Sequence, residues 1–181
     1  MIKKSKNVLL GVTGSIAAFK AADLIRSLQE FSCTVTVVMT REAEAFITPL
    51  TLATLSGRPV HRGMLEDAHT AWAMPHLSLA READAVVIAP ATANVIAKLA
   101  HGIADDLLTC TVISTRAPVL IAPAMHTEMY ENKIVQENCR RLKSLGMRFV
   151  GPVKGKLACG TTGMGHLAEL DDIVQAVRQV I

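Results

Sequence analysis

Four segments of the 181-residue chain combine residue types that ligand binding or catalysis could use. Gly11-Val12-Thr13-Gly14-Ser15-Ile16-Ala17-Ala18 is a small, hydroxyl-bearing turn. A turn of this kind that opens a helix offers an anion free backbone N–H groups and the positive end of the helix dipole. It has neither G-x-G-x-x-G spacing nor Gly-Lys-Ser/Thr, so one mononucleotide phosphate suits it better than a diphosphate. A plain strand-to-helix turn with Ser15 as N-cap accounts for the same residues equally well. Ala89-Pro90-Ala91-Thr92-Ala93-Asn94 places hydrogen-bonding groups at Thr92 and Asn94 beside alanines small enough to admit a flat ring. Pro90 is expected to stop the strand before it, and this segment too can be read as a capped helix start. Ala122-Pro123-Ala124-Met125-His126-Thr127-Glu128-Met129-Tyr130 is the third segment. The fourth, Leu157–Gly165, holds Gly160, Gly163 and Gly165 together with Cys159. It reads as a mobile loop, where core packing is a poor explanation for a cysteine. Cys33 and Cys110 sit in apolar patterns and read as core thiols.

These segments need a scaffold, and the pattern around them supplies one. Short β-branched apolar runs predict strands at Asn7–Val12, Thr34–Met39, Ala85–Ala89, Val119–Ala122 and Arg148–Val150. Helical patterns predict Ile16–Leu28, a segment around Pro49–Ser56, His76–Glu82, Asn94–Ala100, Asp106–Ser114, Asn132–Leu145 and Asp171–Val180. Continuous apolar strands alternating with helices imply a parallel sheet covered on both faces. The expected fold is a single-domain, doubly wound α/β sheet over residues 1–181, of the Rossmann/flavodoxin-like kind, with no linker or repeat. Ligands of such sheets lie beyond the C-terminal strand ends, where all four segments fall.

Hydrophobic residues make up 50% of the chain and aromatic residues 3%, so the core must be aliphatic, with apolar surface left for subunit contacts. A net charge of +3 fits a small anionic ligand. The basic residues are too scattered, and the aromatics too few, for nucleic-acid binding. Lys3-Lys4-Ser5-Lys6 before an apolar stretch has the outline of a signal peptide, but Gly11, Thr13, Gly14 and Ser15 interrupt it. No run reaches the roughly 18 apolar residues of a membrane span. Cys33, Cys110, Cys139 and Cys159 form no C-x-x-C pair, so neither disulfides nor a metal site are expected, and a reducing cytoplasm is the expected setting.

The blocks G-V-T-G-S-I-A-A, A-P-A-T-A-N, A-D-D-L-L-T (Ala104–Thr109), A-P-A-M-x-x-x-M-Y-E-N and L-A-C-G-x-x-G-x-G resemble, in order and spacing, the flavin-dependent cysteine decarboxylases. The resemblance spans about Asn7 to Leu170 and is nearest to the branch that acts on phosphopantothenoylcysteine in coenzyme A biosynthesis. It implies bound FMN, with its phosphate at Gly14 and Ser15 and its ribityl-phosphate end near Thr40. Ala91, Thr92, Ala93 and Asn94, with Ala124 and Met125, would border the isoalloxazine ring. His76 matches the family's active-site histidine, whereas His61, His69, His101 and His166 carry no such match. Cys159 would be the second catalytic residue, and His126, Met129 and Ala158 would contact a small cysteine-containing substrate. The family also implies a homotrimer or a dodecamer built of trimers, with His76 and the flavin supplied by different subunits. The synthetase domain fused to many bacterial relatives is not seen, so a stand-alone decarboxylase is expected.

The implied chemistry explains the parts. A cysteine carboxylate lacks an electron sink for CO2 loss. Oxidation of its CH2–SH by FMN to a thioaldehyde creates one, the CO2 leaves to give an enethiolate, and hydride return plus a proton completes the product. His76, with a reference pKa of about 6.5, is a candidate base or shuttle, and Cys159, with one of about 8.5, a candidate proton donor. Two positions depart from the family. His126 stands where the family has an asparagine that holds the substrate carboxylate, and Gly165-His166-Leu167 stands where many relatives have Gly-Arg-Met. Three other readings remain. A flavin prenyltransferase would share the FMN site but not need Ala158-Cys159-Gly160, a catalytically silent FMN subunit would suit His126, and a nucleotide-binding module would be colourless.

Overall fold

The apolar runs form strands because each is screened from water on both sides. The structure, a computed structural model, describes residues 5–64 and 74–181. Lys3, Lys4 and His69 lie outside the described residues. The strands β1 (Lys6–Val12), β2 (Cys33–Met39), β3 (Val60–His61), β4 (Ala85–Ala91), β5 (Val119–Pro123) and β6 (Arg148–Phe149) form one parallel sheet in the order β3-β2-β1-β4-β5-β6. Val8 pairs with Val35 on one side and Ala85 on the other. Val8, Leu10 and Val12 face one apolar cluster with Val87, Ala89 and Leu120. Leu9 faces the other with Val86, Ile88 and Ile121. That alternation follows from the period-2 pleat, with both faces dry.

Helices α1 (Ala21–Glu30), α2 (Pro49–Ser56), α3 (Pro75–Glu82), α4 (Ala93–His101), α5 (Leu107–Ser114), α6 (Thr127–Glu131), α7 (Lys133–Ser144) and α8 (Leu170–Arg178) complete the described fold. Leu24, Ile25 and Leu28 of α1 join Ile173, Val174 and Val177 of α8 on the first face. On the second, Leu79, Ile96, Leu107 and Leu142 come from α3, α4, α5 and α7. The doubly wound sheet expected from the sequence is therefore present. Its order reverses between β1 and β4, which makes their C-terminal ends the natural ligand crevice.

Three expectations change. Pro90 does not end its strand: β4 runs on to Ala91, which pairs with Pro123 after a register shift. The shift occurs where proline's missing N–H is not needed by the ladder. The helix expected at Ile16–Leu28 begins as a 3-10 turn, Ile16–Lys20, and continues as α1 to Glu30. The glycine-rich stretch is not an irregular loop. Val153–Lys156 (β7) and Thr162–His166 (β8) form an antiparallel hairpin, and Cys159 lies in its tight turn. Leu157 N–H donates to the Thr161 carbonyl at 2.8 Å and Gly160 N–H to the Leu157 carbonyl at 2.9 Å.

Candidate active site

Thr13 joins the two strands at the reversal. Its hydroxyl donates to the Pro90 carbonyl at 2.7 Å and accepts the Thr92 N–H at 3.1 Å. Thr13 is only 1% exposed, so both hydrogen bonds form where water cannot replace them. Ser15 is in extended conformation and accepts the Ala17 N–H at 3.4 Å, capping the 3-10 turn. Gly14 is required by packing: a Cβ there would run into Glu42 Cβ in the neighbouring 3-10 turn, Arg41–Ala45. Thr40 begins that second turn. Its N–H donates to the Val12 carbonyl at 3.0 Å, but its buried hydroxyl has no hydrogen-bond partner. An orphaned buried hydroxyl costs about 1–3 kcal/mol, which a polar ligand would offset.

Beside these turns lies a cavity of about 540 Å³. Ser15, Ile16, Ala17, Phe19 and Lys20 form one wall, Ala124, Met125 and His126 a second, and Lys156–Cys159 with Gly165–Leu167 the hairpin side. Of the residues expected from the sequence, the cavity brings together Ser15, Ala124, Met125, His126, Ala158 and Cys159. Gly14 and Thr40 are not among the lining residues. Ala91 is buried, the Thr92 hydroxyl caps α4 by accepting the Val95 N–H at 3.4 Å, and Ala93 and Asn94 form the first turn of α4. Met129 projects from α6 at 49% exposure, outside the lining. His76 also lies outside it, in the first turn of α3. That helix ends at the N-terminal ends of the strands, where Asp84 N–H donates to the Asn7 carbonyl at 2.8 Å. Its start, with His76, therefore points toward the ligand edge.

The hairpin is docked by its backbone. Met125 N–H donates to the Gly165 carbonyl at 3.0 Å. Gly165 has φ +138° and lies so close to the Met125 carbonyl that a Cβ could not fit, so only glycine meets both demands. The ring of His166 next to it has both nitrogens engaged. Nδ1 lies 3.1 Å from the Lys156 carbonyl and Nε2 3.1 Å from Lys20 Nζ. The Nδ1–H tautomer satisfies this set, since a carbonyl only accepts and an ammonium only donates. Lys20 and Lys156 were not singled out in the sequence, and His166 only as a departure from the family's glycine loop. The one available signal was Lys20 lying five residues after the Ser15 cap.

The thiols divide by environment. Burial pushes Cys33 and Cys139 up. Burial and the Asp106 and Asp105 carboxylates raise Cys110, which is half-buried rather than core. Cys159 is exposed and its thiol falls to about 7, chiefly through the Thr161 hydroxyl 3.0 Å away, then the Thr161 backbone, with His126 adding a hydrogen bond and charge. The Ala104–Thr109 block has a structural task. Asp106 accepts the Thr109 N–H at 2.8 Å in a capping box, and Lys98 Nζ bridges Asp105 at 2.7 Å and Asp106 at 3.0 Å. Burial opposes ionisation of Asp106, but the Thr109 and Lys98 hydrogen bonds outweigh it and its carboxyl falls below the usual range.

Comparison with known proteins agrees with this geometry. The Flavoprotein family profile matches residues 2–181. The coenzyme A biosynthesis bifunctional protein CoaBC of Vibrio vulnificus is 47% identical over 174 residues, 96% of this chain but 43% of that protein. A probable phosphopantothenoylcysteine decarboxylase of Streptococcus mutans is 44% identical over 177 residues, covering 97% of this chain and 98% of its own. Among solved structures, a PPC decarboxylase variant complexed with pantothenoylaminoethenethiol superposes with TM-score 0.87 at 34% identity, covering 97% and 98% of the two chains. The FMN-dependent cysteine decarboxylase SpaF gives 0.84 at 33%, covering 98% and 97%. With the family profile spanning residues 2–181 and a relative 44% identical over nearly its whole length, the chain belongs to the flavoprotein family.

Proposed function

We propose that the chain is an FMN-dependent decarboxylase acting on a phosphorylated cysteine amide, phosphopantothenoylcysteine. The observation that carries this reading is the cavity lining. An exposed thiol and the Ser15-capped turn line one cavity whose charged residues, Lys20 and Lys156, are both basic, together with His126 and His166. A substrate bearing both phosphate and carboxylate matches that charge.

The residues present fit FMN. The buried, unpartnered Thr40 hydroxyl and the Ser15-capped turn are groups a phosphate would use, and Thr13 ties the end of β1 to the end of β4. Bound there, FMN supplies two-electron oxidation of the substrate CH2–SH and later returns hydride. The chain's own residues do the rest. Ser15 and Thr40 hold the phosphate end, Ala91–Asn94 and Ala124–Met125 border the ring, and Lys20 and Lys156 orient the substrate phosphate. The hairpin covers the reacting carbons, where Cys159 supplies the final proton, and His126, Met129 and Ala158 contact the substrate. His76 is the base, and it comes from a neighbouring subunit of a trimer. The supporting features are apolar: Met74 and Leu77 flank His76 at 54% and 39% exposure, and Ile16 and Phe19 rim the cavity at 56% and 55%. Residues 1–181 act as one decarboxylase domain, and the reducing cytoplasm fits its free thiols.

An absorbance spectrum of the purified protein, mass spectrometry of its heat-released ligand and anaerobic mixing with phosphopantothenoylcysteine test the reading. FMN that bleaches and recovers as CO2 is released is the expected result. FAD, or a colourless folded protein, overturns it. FMN without CO2 release favours a silent flavin subunit, the reading that His126 supports.

A further inference from the structure

We propose that His166 is a positioning residue that aims the Lys20 ammonium at the substrate phosphate, so that discrimination between phosphorylated and unphosphorylated substrates depends on the docked hairpin. This rests on the decarboxylase reading above, which gives Lys20 to the phosphate, and it assigns a task to His166, which had none there.

The two side chains reach the cavity from separate elements. Lys20 closes the 3-10 turn that Ser15 caps, and His166 ends β8 of the hairpin. Both are half-buried and both line the cavity. His166 Nε2 lies 3.1 Å from Lys20 Nζ, and its Nδ1 lies 3.1 Å from the Lys156 carbonyl on β7. A carbonyl can only accept, so the bond at Nδ1 selects the tautomer whose Nε2 lone pair faces the ammonium.

The hairpin is shaped for that ring. A Cβ on Gly155 would stand 2.9 Å from His166 Cγ and 3.0 Å from its Cβ, so glycine is what lets the imidazole lie against β7. One residue before His166, the Gly165 carbonyl accepts the Met125 N–H at 3.0 Å. The direction of the ammonium is thus passed from the chain after β5, through the hairpin, to the ring and then to Lys20.

This arrangement changes what phosphate binding costs. A lysine on its four-carbon stem samples many rotamers, and ordering it on a ligand consumes binding energy. His166 orders it beforehand and accepts one of its three N–H donors, which leaves two for phosphate oxygens. An uncharged acceptor does this without cancelling the charge, as a carboxylate in its place would. When the hairpin is not docked, Lys20 loses this partner, so phosphate recognition and cover over the reacting carbons arrive together.

The test compares ligands that differ only in the phosphate. Calorimetric titration of the flavin-loaded protein with phosphopantetheine and with pantetheine reads the contact without turnover. KM and kcat for phosphopantothenoylcysteine and its dephosphorylated form read it during turnover, and bound-flavin absorbance reports an intact fold. The unmodified protein is expected to prefer the phosphorylated ligand by about tenfold or more. His166→Phe keeps a ring against Gly155 but has no nitrogen. It should weaken binding of the phosphorylated ligand about three- to tenfold, with pantetheine binding and kcat little changed. His166→Gln, whose amide oxygen can accept from Lys20, should restore most of the preference. Gly155→Ala, which displaces the ring without removing it, should reproduce the loss. Equal weakening of both ligands by His166→Phe would mean that the ring only fastens the hairpin, and it overturns the proposal. So does a preference that His166→Phe leaves intact or that glutamine fails to restore. Failure of the decarboxylase reading appears separately, as absence of CO2 release from the unmodified protein, and the binding titrations still decide the role of His166.

Discussion

The Thr13 hydroxyl spans the point where the strand order reverses, 2.7 Å from the Pro90 carbonyl and 3.1 Å from the Thr92 nitrogen. It holds the end of β4 against the end of β1, with the two ligand turns on either side. Thr13→Val keeps the shape but leaves both partners unpaired in a dry site, at a cost of about 1–3 kcal/mol. Denaturant unfolding is expected to show that loss, and faster release of FMN to accompany it. Unchanged stability would mean that water reaches the site.

Lys20 and Lys156 are expected to recognise the substrate phosphate. Lys20→Met should raise KM about tenfold or more for the phosphorylated substrate, the worth of one charge-assisted hydrogen bond. It should change KM little for the dephosphorylated analogue. Equal effects on the two would place the lysine's role elsewhere, for example in holding His166.

The lowered thiol of Cys159 sets a pH dependence whose sign is fixed. A proton donor must be protonated, so the thiol is competent below about 7 and lost as pH rises through that value. Enethiol reduction is therefore expected to decline above neutrality, earlier than an ordinary thiol would allow. Thr161→Val removes the largest stabiliser of the thiolate and should carry the decline to higher pH. Stopped-flow flavin reoxidation with the enethiol checks both profiles.

Assembly can be tested by complementation. Protein with His76→Ala and protein with Cys159→Ala should each be inactive in product formation. Co-assembled by mild denaturation and refolding, they should recover activity, because some sites then draw an intact His76 from one subunit and an intact Cys159 from another. No recovery in demonstrably mixed trimers would place both residues in one subunit's site.

Gly165→Ala would force a methyl group against the Met125 carbonyl at a positive φ. The expected outcome is an undocked hairpin with flavin still bound, visible as new protease cleavage near residues 157–161 and lost turnover. Retention of turnover would show that the hairpin docks by other contacts.

How much of this could be read beforehand depends on which physical signal each part carries. The strands were legible because burial on both faces makes an unbroken apolar run, as in Val8–Leu10 and Val86–Ile88. The turns after them were legible because ligand sites of parallel sheets gather at those ends. The hairpin was not: Val153-Lys154-Gly155-Lys156 and Thr162-Gly163-Met164-Gly165-His166 carry too little apolar alternation to announce strands. Pro90 misled because a bulge can absorb a missing N–H. Lys20 and His166 meet across 146 positions, and no local pattern foretells that contact. His76 was named from resemblance alone, since a histidine in the first turn of a helix carries no local signal of catalysis.

The backbone bond between Met125 and Gly165 has an evolutionary consequence. The turns proposed to hold the cofactor follow strands of the sheet, whose core tolerates little change, whereas Lys156, Ala158 and Cys159, proposed to meet the substrate, ride on an attached ribbon. Substitutions in residues 156–162 can therefore alter what is accepted without disturbing how the cofactor is kept. Diversification of substrate within such a lineage should concentrate in that ribbon, and grafting it between relatives should transfer preference as a unit.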